Sequence, residues 1–243
     1  MILEKYIPNG EPSEARAALE RMMCGVDEGK SYADTIRLRV SGALADECND
    51  TYYLAREGDR ALARHWNGWG RHADAIGNWG NFYTEAECRG RGIGSALLRF
   101  WEEDFKDRDD LPLCFLCSAA TPELVAWYSR FGFRVAIEGT DHGALYMPVG
   151  DSPESFREFY TRYYQPSATL VCKPATFEYR HEIDCLLRFA LRDRGIELGI
   201  GECKSVESAL LYYPERVEMI FSEDGHCVGW SLDGKRQVYP IYE

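Results

Sequence analysis

No run of about 18 apolar residues occurs in the 243-residue chain, so no segment reads as a membrane-crossing helix. The opening MILEKYIPNGEPSEARAA lacks a basic stretch followed by an apolar one, and no secretory signal peptide is expected. The nine cysteines are scattered and odd in number, which suits reduced thiols in a cytoplasmic protein better than a disulfide framework. Positive charge is scarce: 28 Lys and Arg stand against 40 Asp and Glu, for a net charge of −12. General nucleic-acid binding, which needs a basic face, is thereby disfavoured. An acidic surface suits a cationic small-molecule substrate, although solubility alone accounts for it as well. Internal repeats and low-complexity tracts are missing too. Metal motifs are poor: His181-Glu182 lacks the second His of a zinc-protease helix, and Cys114-Phe-Leu-Cys117 sits in a strand pattern that sends its two thiols to opposite faces. No metal is expected.

What is present is ample material for a core, with 45% hydrophobic and 13% aromatic residues. Residues 1–10 read as a short strand closed by Pro-Asn-Gly, and Glu11-Pro12-Ser13-Glu14 opens a helix whose apolar residues are Ala18, Leu19, Met22 and Met23. A helical or irregular stretch covers about 31–48. From Thr51 the period becomes two, and TYYLARE and RALARHW around Gly58-Asp59 predict a hairpin. A strand over about 76–84 follows, then a glycine-rich loop, a helix over 95–105, a buried strand over 111–119, a helix over 122–130 and two strands in RVAIEG and ALYMPVG. The order predicts an α/β (α+β) domain over residues 1–149, with a mixed central sheet flanked by helices and one right-handed parallel crossover. Asp151-Ser152-Pro153-Glu154 marks a boundary. Beyond it, residues 150–243 predict a smaller α+β accessory domain, with helices in SFREFYTRYYQ, over 178–194 and over 206–212, and strands over 217–221, 227–232 and 237–241.

The loop is the most informative stretch. CRGRGIGSALL, Cys88 to Leu98, sets Gly90, Gly92 and Gly94 before an amphipathic helix with Ile93, Leu97, Leu98, Trp101 and Phe105 on its apolar face. Backbone free of β-carbons at a helix N-terminus makes an anion cradle suited to phosphate or pyrophosphate. It is not a P-loop, since no Gly-Lys-Ser/Thr follows, and not a dinucleotide loop, since the glycine spacing is one residue short. Arg89-Gly90-Arg91-Gly92-Ile93-Gly94 does fit Arg-x-x-Gly-x-Gly, and AWYSRFGF at 126–133 fits a helix ending in Tyr-x-x-x-Gly-Phe. With these two signatures, residues 1–149 resemble the GNAT superfamily of acyl-CoA-dependent N-acyltransferases. Nothing comparable marks 150–243.

The resemblance implies that amides from Gly90 through Arg91, Gly92, Ile93 and Gly94 to Ser95 hold the coenzyme A pyrophosphate. It also implies that Phe82, Tyr83 and Thr84 pair through their backbone with the pantetheine arm, and that Tyr128 protonates the leaving thiolate. Two positions depart from the family pattern. Ala86-Glu87-Cys88 stands where Pro-Glu and an aromatic are common, and Thr121 stands where a cofactor-contacting Asn is common.

Acyl transfer to an amine also needs a base. Glu85 and Glu87 follow the central strand and serve directly or through a water; His72 and His142 are alternatives, and each of the four has a plain surface role as its competitor. Tyr128 taken alone reads equally as a core aromatic. Arg91 is balanced between phosphate pairing and simple exposure, and Arg89 leans to a structural role. Trp66 and Trp69, placed in a Gly/Asn-rich loop, are expected to line an acceptor pocket with Asp74 attracting the amine, whereas Trp79 and Phe82 are expected to pack the two faces of the sheet.

The expected activity is transfer of an acetyl group from acetyl-CoA to a primary amine of a small molecule or peptide. Direct attack in a ternary complex is expected because no cysteine is placed as an obvious nucleophile. The C-terminal part would cover the acceptor site or build a homodimer; neither nucleic acid nor membrane is expected as a partner. The alternatives are a non-catalytic acyl-CoA sensor, and an interaction protein whose function lies in the C-terminal part.

Overall fold

A computed structural model describes residues 1–26, 30–150, 153–165, 167–193 and 207–238. The chain forms two compact units, one of Met1–Trp69 with Asn78–Leu111, the other of Gly70–Gly77 with Pro112–Glu243. The sequence boundary near residue 150 runs inside the second unit; Asp151 and Ser152 themselves lie outside the described residues.

The first unit contains β1 (Ile2–Tyr6), α1 (Glu14–Val26), α2 (Lys30–Ser41), β2 (Thr51–Glu57), β3 (Arg60–Gly68), most of β4 (Ile76–Thr84) and α3 (Ile93–Lys106). Its strands lie in the order β1-β2-β3-β4, all pairs antiparallel. The β2–β3 hairpin turns at Gly58, whose φ of 56° is available to glycine without strain, and Glu57 pairs with Arg60. Both faces of β2 are covered. Tyr52 and Leu54 join Trp66 and the α1 and α2 residues Leu19, Met22, Met23, Ile36 and Val40 in one core. Tyr53 points the other way, with its ring against Phe100 of α3. Two-sided burial explains why TYYLA reads as an unbroken apolar run.

A buried ion pair braces the first core: Arg39 donates to Asp50 at 2.8 Å, and the same carboxylate oxygen accepts the Trp66 indole N–H at 2.8 Å. The Arg39 guanidinium lies 4.3 Å above the Trp66 ring. Trp66 is therefore an interior residue of β3, not a loop residue, and Trp69 is likewise buried, with the Arg108 guanidinium 4.6 Å over its ring. The Trp66 indole N–H is taken up by Asp50, and a guanidinium covers the ring of each tryptophan.

In the second unit, β5 (Cys114–Ala119), α4 (Pro122–Tyr128), β6 (Arg134–Val135) and β7 (Gly143–Pro148) form a sheet in the order β5-β7-β6. Just before β5, the Leu113 N–H donates to the Ala75 carbonyl at 2.9 Å. Cys114 and Cys117 are both buried in β5, and burial pushes the Cys114 thiol up. Then follow α5 (Phe156–Tyr163), β8 (Val171–Pro174), α6 (Arg180–Asp193), a helical segment at 207–212, β9 (Val217–Phe221), β10 (Cys227–Leu232) and β11 (Lys235–Val238). The four strands make a separate antiparallel sheet, β11-β10-β9-β8.

Several boundaries differ from the sequence expectation. Helix α3 starts at Ile93 rather than 95 because Gly92 serves as its N-cap. The strand anticipated in RVAIEG shrinks to Arg134–Val135, β8 was not signalled, and the last strand begins at Lys235, with 239–241 outside the described residues. Helix α5 opens on a capping box in which Ser155 and Glu158 satisfy each other's backbone N–H. Among the described residues no helix is long and apolar enough to cross a membrane, and no group of three or more His, Cys, Asp or Glu is placed to hold a metal ion.

Candidate active site

The glycine-rich loop is built in the first unit. A short helical turn, Ala86–Cys88, buries Cys88 and delivers the chain to Arg89. Gly92 then caps α3 in the left-handed region, with φ 76° and ψ 2°. A glycine cap brings no side-chain acceptor, so the first amides of α3 are left to bind something else. The dipole of this 14-residue helix adds positive potential at the same end. A β-carbon at Gly90 or Gly92 would meet nothing within 4 Å, so the cradle is open. At Gly94 the reason for glycine is different: a β-carbon there would lie 2.8 Å from the Phe82 ring. Backbone amides, open space and a positive helix end together fit a diphosphate such as that of coenzyme A.

The two arginines of the loop are exposed, and each makes a contact with the protein's own chain. Arg89 Nε donates to the Thr84 carbonyl at 3.1 Å, and its guanidinium lies 5.7 Å from the Tyr83 ring. Arg91 reaches the Cys88 sulfur at 3.7 Å. The loop, Tyr83 and Thr84 are thus tied together by side chains.

Strand β4 carries a β-bulge beside the loop. Arg64 of β3 is opposite Tyr83 and Trp66 is opposite Gly80, so Asn81 and Phe82 together face the single residue His65. Asn81 takes up the extra residue in the left-handed region, φ 51°. The consequence is a break in alternation. Trp79 meets Trp101 of α3, with ring centroids 5.6 Å apart, and Phe82 sits against Gly94 of the same helix, three residues on. Trp79 and Phe82 therefore share a face, where strict alternation had put them on opposite ones. Tyr83 packs on the α1–α2 side.

The remaining candidates are dispersed. Glu85 caps the short turn, half-buried, with its N–H on the Leu62 carbonyl. Glu87 is exposed and ion-paired with Arg60; hydrogen bonding from its own backbone N–H and from Arg60 holds its carboxyl below the usual carboxylate range. In the second unit Tyr128 ends α4, buried, and burial with a smaller contribution from Cys117 pushes its hydroxyl up to about 12. Thr121 is the N-cap of α4, its hydroxyl accepting the Leu124 N–H at 3.4 Å. Asp74 is exposed at φ 58°, and its carbonyl accepts the Tyr163 O–H at 3.1 Å.

His72 stacks on Tyr179 and its Nε2 lies 3.1 Å from Glu182, a fully buried carboxylate that also accepts the Ile76 N–H at 2.8 Å. Burial pulls the His72 pKa down, but the Glu182 carboxylate more than offsets it and the net shift is upward. His142 is exposed and paired with Asp141 at 2.6 Å.

Residues 48–135 match the family model described as an acetyltransferase (GNAT) domain. These residues carry a GNAT domain. Among solved structures the chain is similar to Escherichia coli ElaA, at 17% identity over 60% of this chain and 99% of that one, with a TM-score of 0.44. It is similar to an acyl-CoA N-acyltransferase from Pseudomonas aeruginosa, at 18% identity over 60% and 99%, TM-score 0.43. It is also similar to an aminoglycoside 6'-N-acetyltransferase complexed with coenzyme A, at 14% identity over 63% and 100%, TM-score 0.38. No curated protein matches the chain.

Arg64, His65 and Asn81 escaped the sequence reading.

Proposed function

We propose that the GNAT domain transfers an acetyl group from acetyl-CoA to a primary amine of a small molecule or peptide by direct attack in a ternary complex. The observation that supports it best is the open, glycine-capped start of α3 beside the bulged strand β4. Amides from Gly90 to Ser95 bind the pyrophosphate, and the backbone of Phe82, Tyr83 and Thr84 orients the pantetheine arm and polarises the thioester carbonyl. The thioester supplies an activated acyl group with a thiolate leaving group.

Tyr128 holds its proton at neutral pH, as a general acid must. Among the acidic candidates for the base, Glu85 is favoured over Glu87, whose carboxylate is stabilised as the anion by Arg60 and so takes a proton reluctantly. The acyl chain is taken as acetyl, the location as cytoplasmic, and residues 150–243 as an accessory domain for acceptor binding or dimer formation.

One observation favours the second reading, an acyl-CoA sensor without turnover: Glu87, His72 and His142 are all engaged with charged partners. A thiol-release assay over a broad panel of aminoglycosides, polyamines, amino acids and peptide N-termini separates the two. The enzyme is expected to release coenzyme A with at least one amine class, and Glu85→Gln is expected to lower kcat by about 100-fold. Coenzyme A binding without release on any amine contradicts the enzyme and leaves the sensor.

A further inference from the structure

The bulge in β4 is held from the neighbouring strand by two buried side chains. Arg64, only 3% exposed, donates from Nη1 to the carbonyl of Asn81 at 3.0 Å, and its guanidinium lies 5.7 Å from the Tyr83 ring. His65 is fully buried between Tyr53, Trp79 and Trp101, and its Nδ1–H donates to the carbonyl of Gly80 at 3.2 Å. Burial keeps that imidazole neutral, pulling its pKa down to about 3 against the opposing effect of the Gly80 carbonyl, so the ring has one proton and spends it on Gly80.

Burying a guanidinium is costly unless its hydrogen bonds are placed well, and here the charge-assisted one goes to the carbonyl of the residue in the left-handed region. A bulge is a register choice. Moving it by one residue would exchange the faces of Phe82 and Tyr83, taking one ring off Gly94 and the other off the α1–α2 core.

We propose that Arg64 is a positioning residue for acyl transfer, fixing through the Asn81 carbonyl the bulge that sets which β4 groups face the thioester. It acts through the backbone of β4 and touches neither substrate nor the reacting atoms. His65 holds the preceding carbonyl in the same way. Because this rests on the acyl transfer proposed above, its loss should appear in the chemical step rather than in the pyrophosphate cradle, which is built from the start of α3.

The test compares wild type, Arg64→Met, Arg64→Lys, Asn81→Val and Asn81→Gly for coenzyme A affinity by calorimetry and for kcat with the best amine of the panel. A misplacement on the order of 1 Å is enough for a loss of about 100-fold, so Arg64→Met is expected to lower kcat by about 30-fold or more with coenzyme A affinity within about threefold of wild type. Arg64→Lys, which can still donate to Asn81, should recover most of the loss. Asn81→Val, β-branched and unsuited to a positive φ, should reproduce the loss, and Asn81→Gly should not. Position 81 is exposed, so this pair decides the matter if Arg64→Met does not fold.

Arg64→Met and Asn81→Val with wild-type kcat overturn the inference even if their melting temperatures fall. Equal losses in coenzyme A affinity and kcat overturn it too, because the bulge would then serve binding as a whole. Wild type that binds no coenzyme A overturns the acyl-transfer function and this inference with it, an outcome distinct from failure of the variants alone.

Discussion

The backbone of Gly94 passes so close to the Phe82 ring that a β-carbon at 94 would lie 2.8 Å from it. The start of α3 therefore has no room for a side chain on its β4 side at this point, next to the amides proposed to bind the pyrophosphate. Gly94→Ala must push either the ring or the helix start aside, and overpacking of this kind costs about 1–3 kcal/mol, so coenzyme A affinity is expected to fall about 10-fold. Phe82→Leu in the same chain should restore part of it. A calorimetric titration of the single and double variants checks the coupling, and additive effects would refute the contact.

Tyr128 yields a prediction in pH. Burial, with Cys117 second, raises its hydroxyl to about 12, so the phenol stays protonated throughout the range in which amines are acylated. The kcat profile should show no alkaline limb from this group below about pH 11, and Tyr128→Phe should lower kcat by about 100-fold without altering coenzyme A affinity. A pH-rate profile of both proteins measures this; an unchanged kcat in Tyr128→Phe would return the residue to a packing role.

His72 and Glu182 are 110 positions apart in sequence and ion-paired within the second unit. The folded His72 has a raised pKa, so the folded state holds its proton more tightly than the unfolded chain does. The stabilisation is fully present below the ordinary histidine value of about 6.5 and is lost as pH rises through the higher, folded value. Urea melts between about pH 6 and pH 8.5 should show stability falling, and His72→Gln should flatten that slope. A wild-type slope equal to that of the variant would show that the pair contributes nothing to it.

Much of this was legible in the sequence because the signals were local. The β2–β3 hairpin announced itself through a period of two around Gly58-Asp59, and α3 through its apolar spacing after three glycines. What escaped depends on partners far along the chain. Trp66 and Trp69 looked like loop aromatics because Gly68 and Gly70 flank them. Their burial is decided by Asp50, Arg39 and Arg108, which the local pattern does not display. The bulge at Asn81 is invisible to a period-two reading by its nature, since it is the departure from that period. In the sequence Glu182 figures only in an incomplete zinc-protease motif, and the fold alone brings Ile76 and His72 to it.

The most direct measurement is calorimetric titration of acetyl-CoA into the wild-type protein and into Gly92→Glu. Gly92 holds φ 76° at the cap of α3, so glutamate there strains the backbone and sets a negative charge in the cradle, although its β-carbon has open space within 4 Å. Wild type is expected to bind at micromolar strength and the variant, still folded by circular dichroism, to lose at least about 100-fold. Equal binding by the two proteins, or no binding by wild type, would contradict the assignment of the loop as the coenzyme A site.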